Sequence, residues 1–153
     1  MKSVTVSLLF LLLGSLPNAS AACTNATAAG SFGFTTTGTL FLPTGPAPVA
    51  AVGIITFDLD GNATGRQDRS VGGAFAHETV TGTLTVNRDC TVVLNADVFD
   101  AGGNLVRSST IPGVLVKNGN EFRAIFESVV LPNGASLPSA LTVEVVRVRG
   151  HSQ

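Results

Sequence analysis

Apolar and polar residues alternate in short runs along most of this chain, and clusters of turn-forming residues separate the runs. From Ser31 to Leu42, Phe32, Phe34, Leu40 and Leu42 alternate with small or polar neighbours. Val92, Leu94, Ala96 and Val98 share one parity, as do Phe122, Ala124, Phe126 and Val130. A period of two predicts strands with one buried face. Val80 to Val86, Leu105 to Ile111 and Leu141 to Val148 continue the pattern, with Gly113 to Lys117 a short extra piece. Ala63 to Gly72 is polar, and Val49 to Phe57 is apolar on both faces, as in a central strand. No stretch keeps the apolar spacing of an amphipathic helix for three turns, and the recurring Gly, Thr, Val and Ile work against helix.

The turn signals are dense. Asp60-Gly61-Asn62, Ala101-Gly102-Gly103-Asn104, Asn118-Gly119-Asn120 and Asn133-Gly134 hold residues that tolerate positive φ, and Asn87-Arg88-Asp89 is a fifth candidate. Eight or nine strands joined by short turns make a meander, which removes its exposed edges by closing on itself. No long Greek-key crossover is visible, so the pattern predicts an all-β, antiparallel, up-and-down barrel of about eight strands rather than a sandwich. Pro43 to Pro48 (PTGPAP) reads as a loop between the first two strands, lying over one mouth of the barrel.

The first 21 residues belong to a different pattern. Lys2 supplies a positive start, Val4 to Leu16 is apolar and uncharged, Pro17 breaks the run, and Ala19-Ser20-Ala21 has the small-x-small form of a signal peptidase site. The apolar run falls short of the roughly 20 residues that span a bilayer. The expectation is a signal peptide over residues 1–21, cleaved after Ala21, and one β-barrel domain over 22–153, secreted or periplasmic, with no transmembrane segment after cleavage. Ser20-Ala21-Ala22 before Cys23 lacks the leucine of a lipoprotein signal. In an oxidising compartment the two cysteines, Cys23 and Cys90, are expected to form one disulfide.

Charge narrows the partners. Nine basic and ten acidic side chains leave a net charge of −1, and charged residues are only 12% of the chain. That balance argues against nucleic acid, which needs a basic stripe, and against an electrostatic membrane-surface partner. The chain has no Trp or Tyr, so Phe is its only aromatic residue.

The runs GSFGFTTTGTLF, VGIITFDLDGNATG and TGTLTVNRDCTVVL resemble a group of small secreted bacterial proteins. In that group a G-x-(F/Y) opening is followed by a tFDGxGN phrase and then by G-T-(Y/L)-T-V-N-x-D-C. Such proteins look like calycin-type or allene-oxide-cyclase-like barrels, which implies an up-and-down barrel with a central cavity. Lipocalins carry a Gly-x-Trp on the first strand, over which an arginine of the last strand packs. Gly30-Ser31-Phe32 with Arg147 or Arg149 occupies similar places, with Phe standing for the lipocalin Trp. A shared fold would not by itself carry a function.

Candidate chemistry is sparse. Asp58-Leu59-Asp60-Gly61-Asn62 resembles a calcium loop, but its Gly falls fourth and Arg69 falls where the bidentate acid should stand, so a hairpin turn is the expectation. His77-Glu78 opens like a zinc-protease motif without its second His, and His77 reads as a loop or strand-end residue. There is no G-x-S-x-G elbow and no phosphate-cradling Gly-rich loop, and no cofactor or metal is implied. Asn25 and Asn62 sit in Asn-x-Thr sites, which matter only in a glycosylating host.

The polar run Arg66-Gln67-Asp68-Arg69-Ser70 is the most informative. A two-residue turn at Asp60-Gly61 would set Ile55 opposite Arg66 and Gly53 opposite Asp68, and paired neighbours share a face. If Ile55 and Phe57 point inward, Arg66 and Asp68 do too; if Ile54 and Thr56 point inward, Gln67 and Arg69 do. A charge inside a barrel must be paired, hydrated or ligand-bound. Arg66, Asp68 and Arg69 are therefore candidate polar anchors in a cavity lined by Phe57, Phe122 and Phe126. The leading functional reading is a non-enzymatic exported barrel that binds a small, largely apolar molecule. The alternatives are an isomerase or cyclase of the allene-oxide-cyclase type, acting by confinement, and a structural or adhesive surface module.

Overall fold

The structure is a computed structural model that describes residues 22–148. The expected signal peptide with its cleavage site, and Arg149 and His151, lie outside the described residues. A short helix, α1 (Asn25–Ala28), precedes nine strands: β1 (Gly30–Leu42), β2 (Gly45–Phe57), β3 (Asn62–Val71), β4 (Ala74–Val86), β5 (Thr91–Phe99), β6 (Leu105–Val116), β7 (Glu121–Ile125), β8 (Ser128–Val130) and β9 (Ser139–Arg147). Each of β1 to β6 pairs antiparallel with the next, β6 pairs with both β7 and β8, β7 pairs with β9, and β9 returns to β1. Since β7 and β8 lie end to end on β6, the nine strands form eight staves of a closed barrel. The meander expected from the sequence is the fold observed.

Three local differences matter. Gly113 to Lys117 is not a separate piece, because β6 runs unbroken from Leu105 to Val116. The run from Phe122 to Val130 does break. At Phe126 and Glu127 the chain switches ladders, Phe126 N–H donating to Leu141 C=O (3.1 Å) and Glu127 N–H to Thr110 C=O (2.9 Å). The switch shifts the parity, so Val129 rather than Val130 becomes buried. The PTGPAP loop shrinks to Pro43-Thr44, since Leu42 pairs with Gly45 and Pro46 and Pro48 already lie in β2. Pro48 C=O accepts from Gly72 N–H on the β3 side, so its ring nitrogen points the same way, past the end of β3 at Val71. No ladder bond is lost there.

One turn recurs four times. In Asp58–Asn62 the first N–H donates to the fifth C=O and the fourth N–H donates back to the first C=O; Asn87–Thr91, Asp100–Asn104 and Leu131–Ala135 do the same. The fourth residue has φ of 92, 68, 79 and 83° at Gly61, Cys90, Gly103 and Gly134. This is the three-residue hairpin loop with a left-handed bulge position, which explains the glycine in three of the four. The fourth, Cys90, is bonded to Cys23 with Cα atoms 5.0 Å apart. Closing a loop with a sequence separation of 67 removes chain entropy worth about 4 kcal/mol.

The disulfide, α1 and Arg147 together seal the lower end of the barrel. Asn25 donates to Asp60 C=O and accepts from Val86 N–H, both at 2.9 Å, which ties α1 to β4 and to the β2–β3 turn. Arg147 on β9 lies 4.5 Å from the ring centroid of Phe32 on β1 and donates to the carbonyls of Ala29, Thr27 and Gly119. The arginine-over-aromatic pairing expected from the resemblance is present. Phe32, Phe57 and Phe122 pack above it with centroids 5.1 to 5.8 Å apart. The lower third is a plug of packed side chains, and among the described residues the upper end carries the turns after β1, β3, β5 and β8.

Candidate functional site

The site follows from the length of the β2–β3 turn. The observed pairs are Phe57 with Ala63, Ile55 with Gly65, Gly53 with Gln67 and Ala51 with Arg69. The loop is one residue out of step with a two-residue turn at Asp60-Gly61, because Asp58 opens it. The Asp58 Oδ1 accepts from the N–H groups of Asp60 and Asn62, and its Oδ2 accepts from the Asn62 side chain at 2.7 Å. The hairpin-turn reading of this segment is therefore the geometry found. A one-residue change of register sends every side chain to the opposite face. Ile55 and Phe57 point inward, and with them come Gln67 and Arg69; Arg66 and Asp68 lie on the outer wall. Asp68 faces His77 there, 2.6 Å away and exposed.

Inward placement of a charge demands compensation, and β4 supplies it. Gln67 pairs directly with Glu78 in the β3–β4 register. The Glu78 side chain is 2% exposed and collects four donors: Gln67 Nε2 (2.7 Å), Arg69 Nε (2.8 Å), and both terminal nitrogens of Arg107 (2.9 and 2.7 Å). Burial pushes this carboxyl up, but the paired fork of Arg107, then Gln67 and Arg69, outweighs it and holds Glu78 at about 2 against an ordinary 4.5. His77 and Glu78 are adjacent residues of a strand and point to opposite faces, so they cannot act as one acid/base couple. His77 itself is the fourth residue of β4, within the strand rather than in a loop.

This polar belt divides the interior. Below it, about 70 Å³ of space is lined by apolar side chains including Phe57, Phe122, Ile55 and Val143. Above it, opening at the upper rim, lies a cavity of about 190 Å³. Its floor is Thr36, Gln67, Arg69 and Arg107, and its walls are Leu40, Val49, Val71, Phe126, Val129, Leu131, Leu137 and Leu141. Arg69 reaches in between Ala51 on β2 and Ala76 on β4, whose small side chains leave it room. Of the expected cavity residues, Arg69 and Phe126 line this space. Phe57 and Phe122 belong to the plug below the belt, and Arg66 and Asp68 are outside.

Glu78, Gln67 and Arg107 complete the belt, and the signal for two of them was alternation. Val80 and Leu84 are inward on β4, so extending that strand back by two residues makes Glu78 inward. Ile111 does the same for Arg107 on β6. On β6 the buried Ser109 also faces inward, paired with Ala96, and its hydroxyl is the one buried side-chain polar atom among the described residues without a hydrogen-bond partner.

No protein-family model matches the chain, and no curated protein matches it in sequence. The fold is similar to that of solved barrels. A redesigned β-barrel, mFAP1, bound to DFHBI covers 80% of this chain and 97% of its own, with a TM-score of 0.52 and 15% identity. EF1p2_mFAP2b bound to DFHBI covers 80% and 94%, with a TM-score of 0.52 and 12% identity. At these identities the likeness concerns the fold alone.

Proposed function

We propose that this chain is an exported binding protein whose barrel holds a small, largely apolar molecule in the upper cavity. The observation that carries the reading is a cavity of about 190 Å³, walled by aliphatic side chains and one Phe, open at one end and floored by polar side chains. Ligand sites have this composition, apolar walls with a few fixed polar groups. The volume exceeds the roughly 150 Å³ that admits benzene and lies below the several hundred of drug-sized sites, so the occupant is small. A barrel filled by its own side chains would have suited a purely structural module better. Export is supported by the charged, apolar, then small-residue start of the chain and by the Cys23–Cys90 disulfide. The two similar barrels are each bound to DFHBI; the reading for this chain rests on its own cavity.

Native mass spectrometry of the protein purified from its producing cells tests the proposal. A co-purifying small molecule is expected, and Ala51→Phe, which fills the cavity from the β2 wall, should lose it. An adduct retained unchanged in Ala51→Phe, or a wild-type protein that neither carries nor takes up any small apolar compound, would refute the reading.

A further inference from the structure

We infer that the molecule held in the upper cavity is an amphiphilic anion, a short-chain carboxylate whose head group docks on Arg69 beside Arg107. The inference rests on the cavity-binding reading above and specifies its ligand. It starts from a charge imbalance. The polar belt contains two guanidinium groups and one carboxylate, and the side chains lining the cavity include no acid to balance the second cation. A surplus positive charge in a largely apolar enclosure is costly unless an anion or water meets it.

The two arginines differ in what they have left to offer. Arg107 spends both terminal nitrogens on Glu78, in the bidentate geometry that a carboxylate accepts best. Arg69 donates to Glu78 only through Nε, at 2.8 Å. Its two terminal nitrogens have no protein acceptor among the described residues, and its side chain, 24% exposed, lines the cavity. Glu78 thus acts as a positioning residue that holds the Arg69 fork by its inner edge and leaves the outer edge facing the open space. That outer edge is a second bidentate site, fitted to a planar carboxylate.

Docking one carboxylate there brings the belt to two cations and two anions. The rest of the ligand then lies against Leu40, Val49 and Leu141 toward the rim. Volume sets its length: the space accommodates a tail of about six to eight carbons, a little more than a benzene ring requires. Longer chains would project between the upper turns into solvent.

Calorimetric titration with sodium octanoate and with octan-1-ol separates the possibilities, because the two probes share a tail and differ in charge. The wild type is expected to bind octanoate about 10- to 100-fold more tightly than octanol, the range for a charge-assisted contact. Arg69→Gln should abolish that preference, since the fork that meets the carboxylate is gone while Arg107 and Gln67 still satisfy Glu78. Arg66→Gln, on the outer wall, should change neither. If Arg69→Gln does not fold, Arg69→Lys keeps the charge but loses the fork and should retain only part of the preference. Octanol binding as tightly as octanoate, or an undiminished preference in Arg69→Gln, would overturn the anion while leaving the cavity reading standing. Binding of neither probe would overturn both.

Discussion

Replacing Glu78 with Gln tests whether the charges inside the barrel are organised by this one carboxylate. At neutral pH Glu78 is ionised and holds Arg69, Arg107 and Gln67 together. Its pKa, about 2 in the folded protein against an ordinary 4.5, corresponds to about 3 kcal/mol of stabilisation at pH 7. Because the folded value is the lower one, that contribution is complete above the unfolded value and is lost as pH falls through the folded one. Between pH 7 and pH 3 the wild type should lose about 2 kcal/mol from this group alone. Glu78→Gln should cost about 3 kcal/mol or more at pH 7, since it leaves two guanidinium groups facing each other without an anion. It should also flatten the pH dependence between 7 and 3 by about 2 kcal/mol relative to wild type. Asp58, Asp89, Asp100 and Glu121 are also lowered, by hydrogen bonds from their neighbours, but they are common to both proteins and cancel in the difference. Urea denaturation at the two pH values gives the comparison. Parallel pH profiles for the two proteins would refute the reasoning, as would a Glu78 carboxyl titrating near 4.5 by carbon-detected NMR of the wild type.

Two further perturbations address the scaffold. Gly61 and Gly103 occupy the same position of the same turn, yet an added Cβ would strike Leu84 C=O and the Asn25 side chain at Gly61 and meets nothing within 4 Å at Gly103. Gly103→Ala should cost only the left-handed strain of about 1–2 kcal/mol, and Gly61→Ala at least twice as much by urea denaturation; equal costs would remove the argument from packing. Arg147→Met deletes the contact with Phe32 and three bonds to backbone carbonyls. It should destabilise the protein by about 2–4 kcal/mol and speed hydrogen exchange around α1, without changing binding in the upper cavity; unaltered exchange there would show that the lower seal does not depend on it.

Alternation and turn chemistry carried the architecture. Phe32 and Phe34, Val92 to Val98 and Leu141 to Val145 each declared a buried face, and Asp-x-x-Gly-Asn at 58 and 100 declared hairpins; closure followed from the number of short, consecutively paired strands. The disulfide between the only two cysteines was legible as well. These features depend on neighbours along the chain or on counting, which one dimension contains.

The interior polar belt depended on register, which one dimension does not contain. Beginning the β2–β3 turn at Asp58 instead of Asp60 moved Arg66 and Asp68 outside and brought Gln67 and Arg69 in, because a strand has only two faces and a single step exchanges them. The outer face of β2 shows the same limit: Val52 is 56% exposed although its strand reads as buried on both sides, since a closed barrel has no second layer to cover it. Arg107 meets Glu78 across 29 positions of sequence, over the end of β5, where closure rather than adjacency sets the distance. Alternation and turn residues were enough to specify a barrel and the positions where the chain could reverse. Only the closed sheet decided which charges share the interior, because that choice is made by cross-strand register and curvature together.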